Sequence, residues 1–342
     1  MSEVTIYTLA KALNMSPSAV SRAFNPNGRV SAEKRALVLA EAERLGYTPN
    51  RHASRLSMRT VKIGVIINCR FQVNIDKMLV GIREAHGGLK DYKIKYDLTL
   101  LRDDVNGVED YRMAIEKYKG YDGVIVMGMS DERYASLLSE LCDAVPAVAQ
   151  VQSINPHAPT LFASKHDEGV AAELAAELLS GCLRGRAEKN VILFTGRQKN
   201  TLHSSAKDAF LTAASGYGIS VLDVIDMDDS EDALERMLPP LFERYSGAIG
   251  GIYITSGFSL PLCRYLHERG LDIPLVTSDI YDGIREYMRL GVVTATISQD
   301  VTSQMRIAFE RLVGHIINGD AVPKTVYTDT QIIMRSNMHQ FD

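Results

Sequence analysis

Residues 9–25 read LAKALNMSPSAVSRAFN. Two short helical patterns meet there across Asn14-Met15. The first runs from Ile6 to Leu13 behind Thr5 as a cap, with Leu9, Ala10 and Leu13 on one face. The second begins at Ser16, a good N-cap, followed by Pro17 where no backbone N–H is needed. It continues to about Phe24, with Ala19, Val20 and Ala23 facing inward. Beyond it, Asn25-Pro26-Asn27-Gly28 is rich in turn residues. Ser31 then caps a third helix to about Leu45, with Ala36, Leu37, Ala40 and Leu45 expected inside. Gly46 stops it and Pro49 prevents continuation. Two helices joined by a tight break and braced by a third form a helix-turn-helix, whose second helix enters a major groove. Ser16, Pro17, Ser18, Ser21 and Arg22 lie on its outer side. Arg22 can bond a guanine edge bidentately, and serine hydroxyls can reach bases or phosphates.

Charge supports this reading. The 342 residues carry a formal net charge of −4, unevenly spread. Residues 1–60 hold nine Lys/Arg against four Asp/Glu, and the remainder 29 against 38. A basic head on an acidic body suggests a nucleic-acid module joined to something else. No apolar run approaches the roughly 18 residues that span a membrane. The opening MSEVTIYTLAKALN lacks a basic start before an apolar block, so no secretory leader is expected. Cys69, Cys142, Cys182 and Cys263 have no paired spacing, which fits a reducing, cytosolic setting and neither a zinc site nor a disulfide framework.

The stretch VTIYTLAKALNMSPSAVSRAFNPNGRVSAEKRALVLAEAERLGYTPNRHASRLS, residues 4–57, resembles the headpiece of the lactose/galactose repressor (LacI/GalR) family. The matching features are V-T-x-x-x-L/V-A, V-S-x-x-T/A-V-S-R, V-S-x-x-T/K-R and L-G-Y-x-P-N-x-x-A-x-x-L. The resemblance implies that Tyr7, Ser16, Pro17, Ser18, Ser21, Arg22, Asn25 and Ser31 meet DNA, with Thr5 beside them. It places Pro17 and Ser18 at the positions that commonly choose the operator. In NRHASRLS, residues 50–57, Asn50 is a candidate cap, and Arg51 and Arg55 suit phosphates. Eight residues form no stable helix alone. Two copies packed over DNA could, and Leu56 could then wedge between base steps. The resemblance implies this hinge-helix role for Ala53 and Leu56.

From Val61 the pattern changes to apolar runs separated by helices of about 10–15 residues, the mark of βαβ units and parallel sheets. VKIGVII, IKYDLTLL, YDGVIVMG and PAVAQVQ form one series, and NVILFTG, ISVLDVID, GAIGGIYIT and PLVTSD a second. A chain crossing is expected near residue 160, before a long helix Asp167–Leu179. TATISQD, a helix over Thr302–Ile317 and TVYTDTQIIMRS recross between the halves. The expected fold is a small all-α headpiece followed by two Rossmann-like parallel-sheet lobes with a ligand cleft between them. The body resembles the type 1 periplasmic-binding-protein fold carried by the same family. The expected domains are 1–48, a hinge at 49–60 and an effector domain at 61–342. Within that domain the first lobe takes 61–161 and 298–324, and the second 162–297 and 325–342.

Ligands of open α/β sheets bind beyond the carboxyl ends of the strands. Candidates there are Arg70, Phe71 and Asn74 after the first strand, with Asn68 beside them, and Arg197, Lys199, His203 and Lys207 after the fifth. Ser256, Asp279 and Gln299 follow later strands. The resemblance implies ligand contacts for Asp279, Ser256 and Gln299. A carboxylate is a natural clamp for two hydroxyl donors, and Phe71 could stack on an apolar sugar face. Many relatives carry R-x-x-G-F on the helix after the fifth strand. Here AKDAF puts Ala206 and Ala209 at those positions, so the usual sugar-anchoring Arg is missing. Arg70, Arg197, Lys199, His203 and Lys207 together hint at an anionic ligand, such as a sugar phosphate or sugar acid. No G-x-G-x-x-G after a first strand, Walker motif, G-x-S-x-G or paired metal ligands is found, so neither an enzyme nor a cofactor is expected. The expected function is an effector-controlled transcriptional regulator, and the resemblance implies a repressor. Its expected partners are a pseudo-palindromic operator, a sugar or sugar derivative, and a second copy of the chain. QIIMRSNMHQFD at the C-terminus shows no heptads, which favours a dimer. The rival is a transport-system solute receptor without a DNA-binding role.

Overall fold

The computed structural model describes residues 5–24, 30–47 and 59–341. Asn25, Asn50, Arg51, Ala53 and Leu56, and with them the hinge reading, lie outside the described residues. The headpiece comprises α1 (Ile6–Ala12), α2 (Pro17–Phe24) and α3 (Ala32–Leu45). A hydroxyl caps each start. Thr5 and Thr8 form a reciprocal capping box, Ser16 Oγ accepts from Ala19 N at 3.2 Å, and Ser31 Oγ accepts from Lys34 N at 3.4 Å. Between α1 and α2, Asn14 takes a left-handed step at φ 50° that Asn tolerates. Leu9, Ala10, Val20, Ala23, Val38 and Ala42 are buried together, while Leu13 and Ala19 are half-buried.

The inner face of α3 differs from the expectation. Val38 and Ala42 are buried, Leu45 is half-buried, and Ala36, Leu37 and Ala40 are exposed. The run Ala36–Ala40 is apolar around the whole helix, so periodicity selects no face there. Packing against Leu9, Val20 and Ala23 selects Val38.

The first lobe is built from β1 (Val61–Asn68), α4 (Gln72–Gly88), β2 (Ile94–Leu101), α5 (Val108–Tyr118), β3 (Gly123–Met127), α6 (Ala135–Ala144), β4 (Val148–Val151) and β5 (Phe162–His166). The second follows with α7 (Glu168–Cys182), β6 (Asn190–Thr195), α8 (Thr201–Gly216), β7 (Ser220–Asp226), α9 (Glu231–Arg244), β8 (Gly251–Ile254), α10 (Leu260–Glu268), β9 (Leu275–Ser278), α11 (Asp282–Arg289) and β10 (Ala295–Ser298). The chain ends with α12 (Val301–Asn318), β11 (Thr325–Thr328) and β12 (Gln331–Ile333). One sheet has the order β11-β5-β4-β3-β1-β2 and the other β12-β10-β9-β8-β6-β7. Every pairing is parallel except β10 with β12.

Three segments therefore cross between lobes: β5 to α7, β10 to α12, and β11 to β12. The expected boundaries need correction, because residues 162–166 and 325–328 lie in the first sheet. FASKH is not an apolar run, so it reads as a crossing. Its backbone is nonetheless paired with β4 on one side and β11 on the other. Helix α12 returns to the first lobe, where Met305, Phe309 and Leu312 join Ile75, Met78 and Ile82 in one core. Gly81 permits the close approach of α4 to α12, since a Cβ there would stand 2.3 Å from the Thr302 carbonyl oxygen. No helix among the described residues is long and apolar enough to cross a membrane.

Candidate functional site

Burying Val20 and Ala23 turns the other side of α2 outward. Thr5, Tyr7, Ser16, Ser18, Ser21, Arg22 and Ser31 are exposed, and Pro17 is half-buried. The hydroxyls of Thr5, Ser16 and Ser31 also cap their helices, so these three hold the headpiece shape as well as face solvent. Ser16 Oγ lies 3.1 Å from Ser18 Oγ, and Arg22 Nε donates to the Ser18 carbonyl at 3.2 Å. One exposed face thus gathers small hydroxyls and one guanidinium.

The second site is a cavity of about 100 Å³ between the lobes. That is small beside the ~300–1,000 Å³ of ordinary ligand pockets, as expected for lobes closed on one another. Arg70, Phe71, Asn74, Arg197, His203, Ser256, Asp279 and Gln299 all line it, with Asn68. Lys207 does not; its Nζ lies 3.2 Å from Asp208. Lys199 is exposed and outside the wall.

Of the five basic residues singled out after the first and fifth strands, Arg70, Arg197 and His203 line the cavity, and carboxylates of the chain itself engage the two arginines. Arg70 Nε donates to Asp103 Oδ1 at 2.7 Å, and Arg197 donates from Nη1 to Asp103 Oδ2. Arg133 reaches the same Oδ2 at 2.9 Å. Arg197 Nε also donates to Asp228 Oδ1 at 2.8 Å, and Arg70 Nη1 to the Asp228 carbonyl at 3.0 Å. Arg70, Asp103 and Arg133 belong to the first lobe, and Arg197 and Asp228 to the second. The two arginines fasten one lobe to the other. Phe71 does the same with apolar surface: its ring stands edge-on to Phe258 at 5.0 Å and to Tyr281 at 5.3 Å. Gly257 leaves room for it, because a Cβ there would be 2.6 Å from the Phe71 ring. Ser130 Oγ donates to Asn200 Oδ1 at 2.8 Å, a further bond across the cleft.

Deeper in the wall, polar groups are buried with few partners. Asn74 Oδ1, Thr255 Oγ1 and His203 Nδ1 have no hydrogen-bond partner. Asp279, 3% exposed and at φ 65°, accepts one weak bond from the Gln299 N–H at 3.3 Å. Burial pushes its carboxyl above the usual range, against the pull of Lys77 and that N–H. Gln299 Oε1 accepts from Gln152 Nε2 at 3.4 Å. His203 Nε2 lies 3.3 Å from Asp229 Oδ1, to which Ser256 Oγ donates at 3.0 Å. Burial opposes charge on both partners, yet their attraction raises the His203 pKa and, with Ser256 and Arg70, lowers that of Asp229. Asn68, by contrast, is fully engaged with the Gly128 carbonyl and the Tyr111 hydroxyl and braces the wall.

Sequence reading missed Asp103, Asp228, Asp229, Thr255, Gln152 and the Phe258–Tyr281 pair. Asp103 and Asp228 carried the same signal as the residues it found, since each lies two residues beyond a strand's carboxyl end, β2 and β7. Gln152 directly follows β4.

A model of the bacterial regulatory proteins of the lacI family matches residues 5–50, and one of the periplasmic binding protein domain matches residues 76–320. Catabolite control protein A of Priestia megaterium is 26% identical over 279 residues, covering 79% of this chain and 80% of that protein. The probable HTH-type transcriptional repressor ExuR of Bacillus subtilis (strain 168) is 23% identical over 98% of this chain and 99% of its own. Among solved structures, the lac repressor dimer bound to operator and the anti-inducer ONPF superposes with a TM-score of 0.66 at 19% identity, covering 97% of this chain and 98% of that one. Headpiece and two-lobed body follow one another in the same order as these two models: the chain joins a lacI-family regulatory headpiece to a body that belongs to the periplasmic binding protein domain family.

Proposed function

We propose that this chain is a transcriptional repressor whose grip on a pseudo-palindromic operator is set by a small polyhydroxyl effector, a sugar or sugar derivative, held between its lobes. The carrying observation is that one chain joins an outward α2 face of Ser18, Ser21 and Arg22 to a cleft walled by buried polar atoms without partners. Buried polar groups are nearly always satisfied, so unsatisfied ones in a cavity wall mark where ligand or water groups belong. Hydroxyls, which donate and accept, suit Asp279, Asn74 and Thr255 together. A homodimer places two headpieces on two half-sites, because two-fold protein reads two-fold DNA. Effector occupancy changes lobe closure and thereby the spacing of the headpieces; the coupling is a difference in affinity between two states. The test is a gel shift with promoter fragments from the source genome, repeated at rising salt and with a sugar panel. A salt-sensitive shift of a palindromic fragment that one sugar class alters is expected. Sugar binding without any fragment preference would instead favour the solute-receptor reading.

A further inference from the structure

The mouth of the cleft is charge-balanced. Arg70, Arg102, Arg133 and Arg197 stand against Asp103, Asp104, Asp131 and Asp228, each in at least one ion pair within the group. Asp103 is the hub, accepting from three arginines, one of them across the cleft. It is 16% exposed, as are Arg70 and Arg197. Below the mouth, the charged groups of the cavity wall are two carboxylates, Asp229 and Asp279, and one imidazole, His203. The unpartnered Asn74 Oδ1 and the under-bonded Asp279 carboxylate both need donors, which hydroxyls supply and ionised carboxylates or fully ionised phosphates do not.

We propose that Asp103 is a built-in anion that decides the charge class of the effector: it occupies Arg70 and Arg197, so that the cleft closes over an uncharged polyhydroxyl and refuses anionic ones. The claim rests on the effector-site reading above and goes beyond it by naming the residue that sets selectivity. An anionic effector has to displace Asp103 from two arginines while lying near two further carboxylates. Like-charge juxtaposition of this kind is how binding sites exclude wrong partners. Replacing the Asp103 carboxylate by a neutral amide leaves the Arg70 and Arg197 guanidiniums facing a weak, uncharged acceptor that an anion can displace.

The experiment uses the full chain and inorganic phosphate as probe. Melting temperature is followed with and without millimolar phosphate for wild type, Asp103→Asn, Arg197→Gln, and Asp103→Asn with Arg197→Gln. Each protein is compared only with itself, so a change in baseline stability does not matter. Asp103→Asn is expected to gain on the order of 2–4 °C on adding phosphate. Wild type should not respond at this site, and the double variant should lose the gain. That loss separates binding at Arg197 from binding at the headpiece arginines. No gain in Asp103→Asn, or a wild-type response that Arg197→Gln abolishes, overturns the proposal. Should Asp103→Asn not fold, wild type decides alone against neutral hexoses and the uronic acids and 6-phosphates of the same hexoses. Stabilisation by an anionic member that Arg197→Gln removes overturns it; failure of every anionic member supports it. A wild-type chain that shifts no DNA fragment sinks the regulator reading instead and leaves the charge result standing.

Discussion

Arg22 on the exposed face of α2 and His203 in the wall of the cleft are the side chains on which the proposed function makes its sharpest residue-level predictions. Arg22 stands exposed on the α2 face, where a bidentate contact to a guanine discriminates against the wrong base by about 1–3 kcal/mol. Arg22→Ala should weaken operator binding by that amount, roughly 5- to 150-fold, with much less effect on nonspecific DNA. Fluorescence anisotropy on operator and scrambled duplexes measures both, and equal losses on the two would remove the base-reading role. His203 is buried against Asp229, and its pKa is raised. A group whose native pKa is raised contributes fully below its unfolded value, about 6.5, and loses that contribution as pH climbs through the native value. Asp229 has a lowered pKa, so its contribution is present above about pH 3.9 and is lost on acidification below that. The pair should therefore stabilise the second lobe from about pH 4 to somewhat above 6.5. Melting temperatures of wild type and His203→Gln should converge as pH rises beyond neutrality, and a constant gap would argue against the ion pair.

At the scale of elements, short caps and tight turns decide the geometry. Ser31→Ala removes the cap of α3, for which the expected cost is about 1 kcal/mol in chemical denaturation of the headpiece transition. The turn after β3 is less forgiving. Gly128 adopts φ 75°, and a Cβ there would stand 1.9 Å from the Asn68 carbonyl oxygen. Gly128→Ala should destabilise the first lobe by about 1–3 kcal/mol or more, because both backbone strain and overlap must be relieved. An unchanged denaturation midpoint would mean that the turn can move away from β1. Asn68 sits in that wall, so this variant should also weaken effector binding.

For the whole molecule, the question is what holds the cleft closed. Three crossing segments leave the lobes free to hinge, and the closing contacts are ionic at the mouth and aromatic at Phe71. Ionic contacts of partly exposed groups weaken with salt, as the screening length falls from about 10 Å at 0.1 M to about 3 Å at 1 M. Small-angle scattering should show a larger radius of gyration at high salt, and Arg197→Gln should show it already at low salt. Saturating effector should restore the compact form in both cases. A radius that ignores both salt and the substitution would assign closure to the uncharged contacts, the Phe71 ring and the Ser130–Asn200 bond. Coupling of cleft to headpiece is reciprocal: an effector that changes operator affinity by some factor has its own affinity changed by operator by the same factor.

The headpiece was legible in the sequence because its information is local. Caps at Thr5, Ser16 and Ser31, the break at Asn14 and the stop at Gly46 lie within a few residues of the helices they bound. The parallel lobes were legible for a related reason: strands buried on both faces read as apolar runs such as VKIGVII. β5 escaped because FASKH is held by its neighbours β4 and β11, which lie outside its own stretch of chain. The face of α3 escaped because an all-round apolar segment takes its orientation from what it packs on. The fate of Arg70 and Arg197 was undecidable from order alone. Their partners, Asp103 and Asp228, lie 33 and 31 residues away, and the bond from Arg197 to Asp103 spans 94 residues. Sequence determined that positive charges would stand at the cleft; only the folding of two lobes onto one another decided that they face carboxylates of the chain itself.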